Sequence, residues 1–142
     1  ICDMAANRKV TMLLEQLQPY ESNLLVNLPQ MKAMLKEVNS PALKTCVDLI
    51  AMEVAGENLE DYYQVLGEDT IQFIHYADGN PSGHYILGDG NLPLRDYIKT
   101  LEAHNYTGIL DLEINDSIYW DDPHTSVQRS VDYLREFIPE HA

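Results

Sequence analysis

The chain has 142 residues, a length that suits one globular domain with a hydrophobic core. Its 23 acidic and 9 basic residues give a formal net charge of -14, which repels phosphate backbones and argues against a nucleic-acid partner. No apolar run approaches the roughly 18 residues that span a bilayer, and no secretory signal pattern is present, so we expect a cytoplasmic protein without a membrane partner. Cys2 and Cys46 are too far apart to form a metal-binding pair or a disulfide framework.

Predicted strands and helices alternate along the chain. Runs rich in Val, Ile, Leu and Thr predict strands at 10–15, 44–50, 71–77 and 108–114. Segments with helical periodicity follow them at 29–38, 57–67, 93–105 and 124–138. Because a parallel strand needs a crossover connection and a helix supplies it, this order predicts an α/β fold of βα units around a parallel sheet. The first nine residues have the pattern of a helix that is already under way.

Each predicted helix has an apolar stripe that we expect to pack in the core. The stripes consist of Met31, Met34, Leu35 and Val38; of Leu59, Tyr62, Tyr63 and Leu66; of Leu94, Tyr97, Ile98 and Leu101; and of Val127, Val131, Leu134 and Ile138.

Each of the four strand-like runs has an acidic or imidazole side chain near its end. These residues are Glu15, Asp48, His75 and Glu113. The carboxyl ends of parallel strands meet at one rim, where βα barrels build their active sites, so we expect the four side chains to converge. Three carboxylates and one imidazole suit manganese, cobalt, magnesium or nickel, whereas zinc is less favoured without more His or Cys. Taken singly, a Glu of this kind more often caps a helix or pairs with a Lys, and His75 more often lies hydrogen-bonded in a core.

Two motifs add a family resemblance to this pattern. PYESN at 19–23 and HYILGDGNLPL at 84–94, together with the strand ends, resemble the second half of the sugar phosphate isomerase/epimerase family, which has a xylose isomerase-like TIM barrel. The resemblance implies a single domain over residues 1–142 that forms the C-terminal half of a (β/α)8 barrel. It also implies one divalent metal ion held by Glu15, Asp48, His75 and Glu113. Glu15 and Glu113 would be the acid/base pair that moves a proton through an enediolate.

The resemblance also suggests two substrate-binding residues. Glu21 in PYESN matches a residue near the substrate hydroxyls in the ketose epimerases, although a loop acid that closes a turn explains it equally well. His84 resembles a position that binds an additional zinc ion in the endonuclease IV group. We interpret His84 as a group that contacts the substrate or a metal ligand, with a structural loop histidine as the alternative.

At two positions the chain departs from the ketose epimerases. Ala51 stands where they have a histidine, and Pro81 stands where they have an arginine. Both departures remove substrate contacts rather than metal ligands, and the lost histidine resembles the fructoselysine epimerase branch of the family. Ala51 and the acidic composition also argue against a three-zinc cluster that acts on DNA.

The predicted strands account for half of a closed barrel, which needs eight. We expect a truncated sugar isomerase or epimerase that acts on a ketose or fructosamine-type substrate. Two alternatives stay open. Two copies would close a barrel together as a homo-oligomer, or the chain would be a non-catalytic module that binds a metal or a sugar. A half barrel that stands alone has two unpaired sheet edges that are exposed to wrong pairing.

Overall fold

The computed structural model describes residues 1–138. Four parallel strands form one sheet in the order β1-β2-β3-β4. They are β1 (Met12–Glu15), β2 (Leu43–Asp48), β3 (Ile71–His75) and β4 (Ile109–Asp111). The helices are α1 (Cys2–Asn7), α2 (Leu28–Val38), α3 (Leu49–Val54), α4 (Leu59–Leu66), α5 (Leu94–Ala103) and α6 (Pro123–Arg135), with short 3-10 turns at Glu68–Thr70 and Ser117–Tyr119. The predicted α/β fold with a parallel sheet is confirmed.

Helix α3 is the main departure from the predicted elements. The second strand was expected to run to residue 50, but β2 ends at Asp48 and a helix begins at once. Asp48 starts this helix because its side chain accepts hydrogen bonds from the backbone N–H groups of Ile50 and Ala51. The fourth strand is also shorter than predicted, since β4 ends at Asp111 rather than at residue 114.

Local capping explains where three of the helices begin. Asn27, Asn58 and Asp122 precede α2, α4 and α6, and each side chain accepts the backbone N–H of the residue three positions later. Such caps satisfy donors that have no partner inside the helix. At the other end of α4, Gly67 has a φ of +82°, a conformation that costs glycine little.

Helices cover one face of the sheet and form the core there. Val47 and Ile74 point to this face and are 1% and 0% exposed. The stripe of α5 is buried as predicted, and that of α4 is buried apart from the partly buried Leu66. The stripe of α2 is not, because Met31 is fully buried while Met34 and Val38 are 41% and 39% exposed.

The stripe of α6 also packs less completely than the sequence predicts. Val131, Leu134 and Ile138 are partly buried, and Val127 is 46% exposed. Within residues 1–138, no helix has the length and apolar character needed to cross a membrane.

The opposite face of the sheet holds the polar strand ends. Side chains alternate along a strand, so Leu13 lies on the same face as Glu15. Ile109 shares that face because it pairs in register with Phe73, whose ring contacts the His75 ring edge-on at 5.5 Å. Leu13 and Ile109 lie in β1 and β4, the first and last strands of the sheet, and are 39% and 58% exposed. Solvent therefore reaches this face of the sheet at both β1 and β4.

Candidate metal centre

The structure brings the four strand-end residues together. Glu15, Asp48 and His75 are the last residues of β1, β2 and β3, and Glu113 lies two residues beyond β4. One ligand atom from each of the four falls within 4.8 Å of the others. The parallel direction of the strands produces this convergence, because residues distant in sequence end at the same rim.

His75 lies at the centre of the cluster. Its Nδ1 is 2.8 Å from Oε1 of Glu15, 3.0 Å from Oε2 of Glu113 and 4.0 Å from Oδ2 of Asp48. The His75 and Asp48 side chains are 17% and 7% exposed, whereas those of Glu15 and Glu113 are 34% and 32% exposed. The two glutamates are thus the members of the set that a substrate can reach most easily.

The charges of this cluster strongly favour a cation. Hydrogen bonds to Cys46, Glu113 and Glu15 raise the pKa of His75 to about 12. The His75 and His84 side chains in turn lower the pKa of Glu113 to about 2. The carboxylates therefore hold a positive charge among them, and a proton on His75 supplies it in the protein alone.

Asp48 is oriented by the helix that follows it. Its Oδ1 accepts the backbone N–H groups of Ile50 at 2.7 Å and Ala51 at 2.9 Å. This leaves Oδ2 to face the cluster, where it lies 3.1 Å from Nε2 of His84. Ala51, which replaces the histidine of the ketose epimerases, is 1% exposed in α3.

His84 is the second imidazole at the centre. Besides its contact with Asp48, its Nε2 lies 3.3 Å from Oε2 of Glu113. Burial opposes a charge on His84, but the hydrogen bonds to Asp48 and Glu113 outweigh it and raise the pKa to about 9. The structure therefore places His84 against two of the predicted ligands, Asp48 and Glu113, whereas its contact with a substrate stays a prediction.

Glu21 is placed on the loop after β1. Its Oε2 accepts the backbone N–H of Gln18 at 2.8 Å, which is the turn-closing role that the sequence left open. The same loop contacts the loop after β3, since the Ser82 hydroxyl donates to Oε1 of the buried Gln18 at 3.0 Å. Pro81, the other departure from the ketose epimerases, lies exposed on that second loop. A substrate contact by Glu21 stays a prediction.

A buried carboxylate organises the loop that carries His84. Asp78 is 2% exposed. Its two carboxylate oxygens accept four backbone N–H groups, namely those of Gly79, Gly88, Gly90 and Leu92. A Cβ at Gly90 would lie 2.3 Å from Oδ1 of Asp78, so a side chain there is excluded. Asp78 also forms an antiparallel bridge with Tyr85, the neighbour of His84. Asp78 was not among the predicted site residues, although the closely spaced glycines around it were a visible signal.

The donor set fits a divalent cation. Three carboxylates and an imidazole at the ends of the four strands have ligand atoms within 4.8 Å of one another, and hard divalent ions bind oxygen and nitrogen donors of this kind. Without a cation, the carboxylates within 3.0 Å of His75 would repel one another unless a proton remained on the ring.

Comparison with known proteins agrees with the fold described above. The family model described as xylose isomerase-like TIM barrel matches residues 1–137. The chain belongs to this family. It is 32% identical over 142 residues to a fructoselysine 3-epimerase of Escherichia coli O157:H7, a match that covers 99% of this chain and 51% of that protein. The chain therefore spans about half the length of the curated relatives that it matches, as expected for half of a barrel.

Solved structures of low sequence identity share the fold. A 3-keto-D-glucoside 4-epimerase from E. coli superposes with a TM-score of 0.78 at 23% identity, covering 95% of this chain and 49% of that one. A D-allulose 3-epimerase from Methylomonas sp. gives a TM-score of 0.77 at 20% identity, covering 96% of this chain and 52% of that one. The predicted family and the half-barrel architecture are confirmed.

Proposed function

We propose that this chain forms the metal-binding half of a sugar epimerase or isomerase active site. Glu15, Asp48, His75 and Glu113 hold one divalent cation, and the substrate is a ketose or a fructosamine-type sugar. The observation that carries the proposal is the convergence of these four ligand atoms within 4.8 Å at the strand ends. Membership of a family whose matched relatives include sugar epimerases supports it.

Glu15 and Glu113 have two proposed roles, as ligands of the cation and as the groups that transfer a proton, whereas Asp48 and His75 are ligands only. A bound cation supplies Lewis-acid polarisation of the substrate carbonyl and hydroxyl oxygens. Glu15 ends β1 and Glu113 follows β4, the two strands at opposite ends of the described sheet, and both side chains are about one-third exposed. This arrangement suits one carboxylate to remove a proton from carbon and the other to return a proton from the opposite side. Positioned groups of this kind typically contribute about 100 to 10,000-fold to a proton transfer.

His84 contributes to the position of Glu113. His84 contacts both Asp48 and Glu113, so it holds the Glu113 carboxylate near the ligand set. His75 and His84 lower the pKa of Glu113 to about 2, so this carboxylate is ionised at neutral pH and available to a cation. Glu21 would approach the substrate hydroxyls from the loop after β1.

A second candidate function is a metal- or sugar-binding half-barrel without turnover. The observation in its favour is the open site face, where Leu13 and Ile109 are 39% and 58% exposed. A substrate bound on this face would be in contact with water near Leu13 and Ile109. Because exclusion of water strengthens electrostatic catalysis, such an open site favours binding without turnover. The net charge of -14 argues against a DNA-repair function, because it repels the phosphate backbone of DNA.

The test joins metal binding to proton exchange. Titration calorimetry with Mn²⁺ is compared for the wild type, Glu113→Gln and Glu102→Gln, the last being an exposed control on α5. The same samples are incubated with fructose or a fructosamine in deuterated water. We expect one Mn²⁺ site. Glu113→Gln should lower its Mn²⁺ affinity about 10-fold or more, because a metal ligand is lost, whereas Glu102→Gln should leave the affinity unchanged.

The outcomes separate the two functions. Solvent deuterium entering the sugar carbon with the wild type and Glu102→Gln, but at least about 100-fold more slowly with Glu113→Gln, supports catalysis. Mn²⁺ binding without exchange supports the binding module. A folded protein that binds neither Mn²⁺ nor the sugar would contradict both.

A further inference from the structure

Cys46 is a buried thiol directly beneath the proposed metal centre. It is 4% exposed and precedes Asp48 by two residues in β2, so both side chains point to the site face. Its register partner on β1 is Glu15. One ligand atom each of Glu15, Cys46 and His75 lies within 4.8 Å of the other two.

The register of the sheet explains this position. A register shift occurs between Thr45 and Cys46, after which Cys46 pairs with Phe73 on β3. Phe73 and His75 are two residues apart in β3, so their side chains lie on the same face of the sheet. The Cys46 thiol, which is next to Phe73, therefore lies one residue layer below the His75 ring. Cys46 consequently contacts the same Glu15 and His75 that belong to the four-residue set, but from the interior side.

We propose that the centre contains two overlapping ligand sets that select different metals. Hard cations such as Mn²⁺ bind Glu15, Asp48, His75 and Glu113. Thiophilic cations such as Zn²⁺ and Cd²⁺ bind Glu15, Cys46 and His75 and leave Glu113 unligated. The assignment of the first set rests on the proposed function, whereas the second rests on the position of the thiol alone.

Ligand chemistry determines which set a cation takes. Thiolate favours soft and borderline ions, whereas carboxylate oxygen favours Mg²⁺ and Mn²⁺. Binding to the set that contains Cys46 breaks the Cys46 S–H bond and the N–H bond at the ligating nitrogen of the protonated His75 ring. A sulfur–metal and a nitrogen–metal bond form, and both protons go to the solvent. Burial makes the charged thiolate of Cys46 unfavourable, and only a strong sulfur–metal bond compensates for this cost. Mn²⁺ forms a weaker bond to sulfur and therefore binds the carboxylate oxygens instead. A thiophilic ion at the deeper set prevents Mn²⁺ from binding because both sets need Glu15 and His75.

The test uses the ultraviolet charge-transfer absorption of a thiolate bound to Cd²⁺. The Cys2→Ser variant leaves Cys46 as the sole thiol, since the chain has two cysteines. It is titrated with Cd²⁺ beside the double variant Cys2→Ser/Cys46→Ser, and Mn²⁺ affinity is measured for both by calorimetry. We expect a charge-transfer band that saturates at one Cd²⁺ per chain and is absent from the double variant. Cd²⁺ affinity should fall about 10-fold or more in the double variant, while Mn²⁺ affinity changes less than about 3-fold.

The results separate failure of this inference from failure of the proposed function. Absence of the band in Cys2→Ser, or a Mn²⁺ affinity that falls as far as the Cd²⁺ affinity in the double variant, would overturn the inference. A Cd²⁺ band in a protein that binds no Mn²⁺ would support the thiol set and contradict the four-residue set. Should Cys46→Ser fail to fold, the band in Cys2→Ser still decides, because the other cysteine is absent from that variant.

Discussion

The two faces of the sheet differ in how well they are packed. On the helix-covered face, Val47 and Ile74 are almost completely buried. On the site face, Leu13 and Ile109 are substantially exposed at the two ends of the described sheet. The first face therefore supplies most of the hydrophobic stabilisation, while the second presents polar groups to a ligand.

The same difference divides the proposed metal centre. Asp48 and His75 come from the central strands β2 and β3 and are largely buried. Glu15 ends the outer strand β1, Glu113 follows the outer strand β4, and both are about one-third exposed. The central pair has its geometry fixed by packing and by the cap of α3. The outer pair depends on hydrogen bonds to His75 and His84, which a cation would replace or reinforce.

A matched pair of isoleucine variants tests this difference most strongly. Ile74→Ala should lower the free energy of unfolding by about 2–5 kcal/mol, because it leaves a cavity under the helices. Ile109→Ala, on the neighbouring strand but the open face, should change it by no more than about 0.5 kcal/mol. Urea unfolding monitored by circular dichroism measures both. Similar losses for the two variants would mean that the site face is as well packed as the helix face.

Metal addition should strengthen the outer half of the centre. Mn²⁺ at about 100 times its dissociation constant should raise the free energy of unfolding by about 2.7 kcal/mol, since the ligands converge only in the folded chain. A chelator should reverse the gain. Glu15→Gln without metal should lie within about 1 kcal/mol of the wild type, because the lost contact is a partly exposed ion pair.

Thermal unfolding with and without Mn²⁺ checks this second prediction. Glu15→Gln should lose the Mn²⁺-dependent gain at the concentration that stabilises the wild type. Retention of the full gain by that variant would exclude Glu15 as a ligand, even though it lies 2.8 Å from His75.

Asp78→Asn tests the loop that connects the site to the packed interior. The new amide cannot accept hydrogen bonds at its nitrogen, so two of the four backbone N–H groups around residue 78 lose their acceptor. We expect a loss of about 1–3 kcal/mol and a weaker Mn²⁺ site, because His84 shifts with the loop. Asp121→Asn, on an exposed residue, is the control for a changed charge. A stable variant with normal Mn²⁺ affinity would show that the loop does not position His84.

The sequence predicted the parts of the fold that depend on local pattern. Alternating apolar runs and helical stripes identified the four strands and the helices between them. Glu15, Asp48, His75 and Glu113 could be placed at one rim because parallel strands impose that geometry whatever the loops do. The family resemblance, now confirmed, added His84, which the structure places against Asp48 and Glu113.

The remaining features depend on contacts between distant segments. The depth of Cys46 follows from a register shift between β2 and β3, which periodicity within one strand does not reveal. The four bonds to Asp78 appear only once the loop from Gly79 to Leu92 has closed on itself. Helix α3 was missed because the apolar run continues past Asp48, so a strand and a capped helix look alike there.

The smallest predicted effect concerns His104, at the rim opposite the metal centre. The His104 ring stacks on Tyr63 with 4.0 Å between ring centroids and lies between Glu60 and Glu68. Its hydrogen bond to Glu60, with a further one to Glu68, raises the pKa of His104 above the usual value of about 6.5. The folded protein therefore binds this proton more tightly than the unfolded chain does. The resulting stabilisation is complete below about pH 6.5 and is lost as the pH rises through the folded-state pKa.

His104→Gln isolates this contribution. Thermal unfolding at about pH 5.5 and about pH 9 should show a larger difference in stability between wild type and variant at the lower pH. Because the group is close to solvent, added salt should reduce that difference. An equal difference at both pH values would assign the role of His104 to stacking on Tyr63. A wild type that is less stable than the variant at the lower pH would mean that the two glutamates do not bind the charged ring, and the rim opposite the site would then contribute to stability through packing alone.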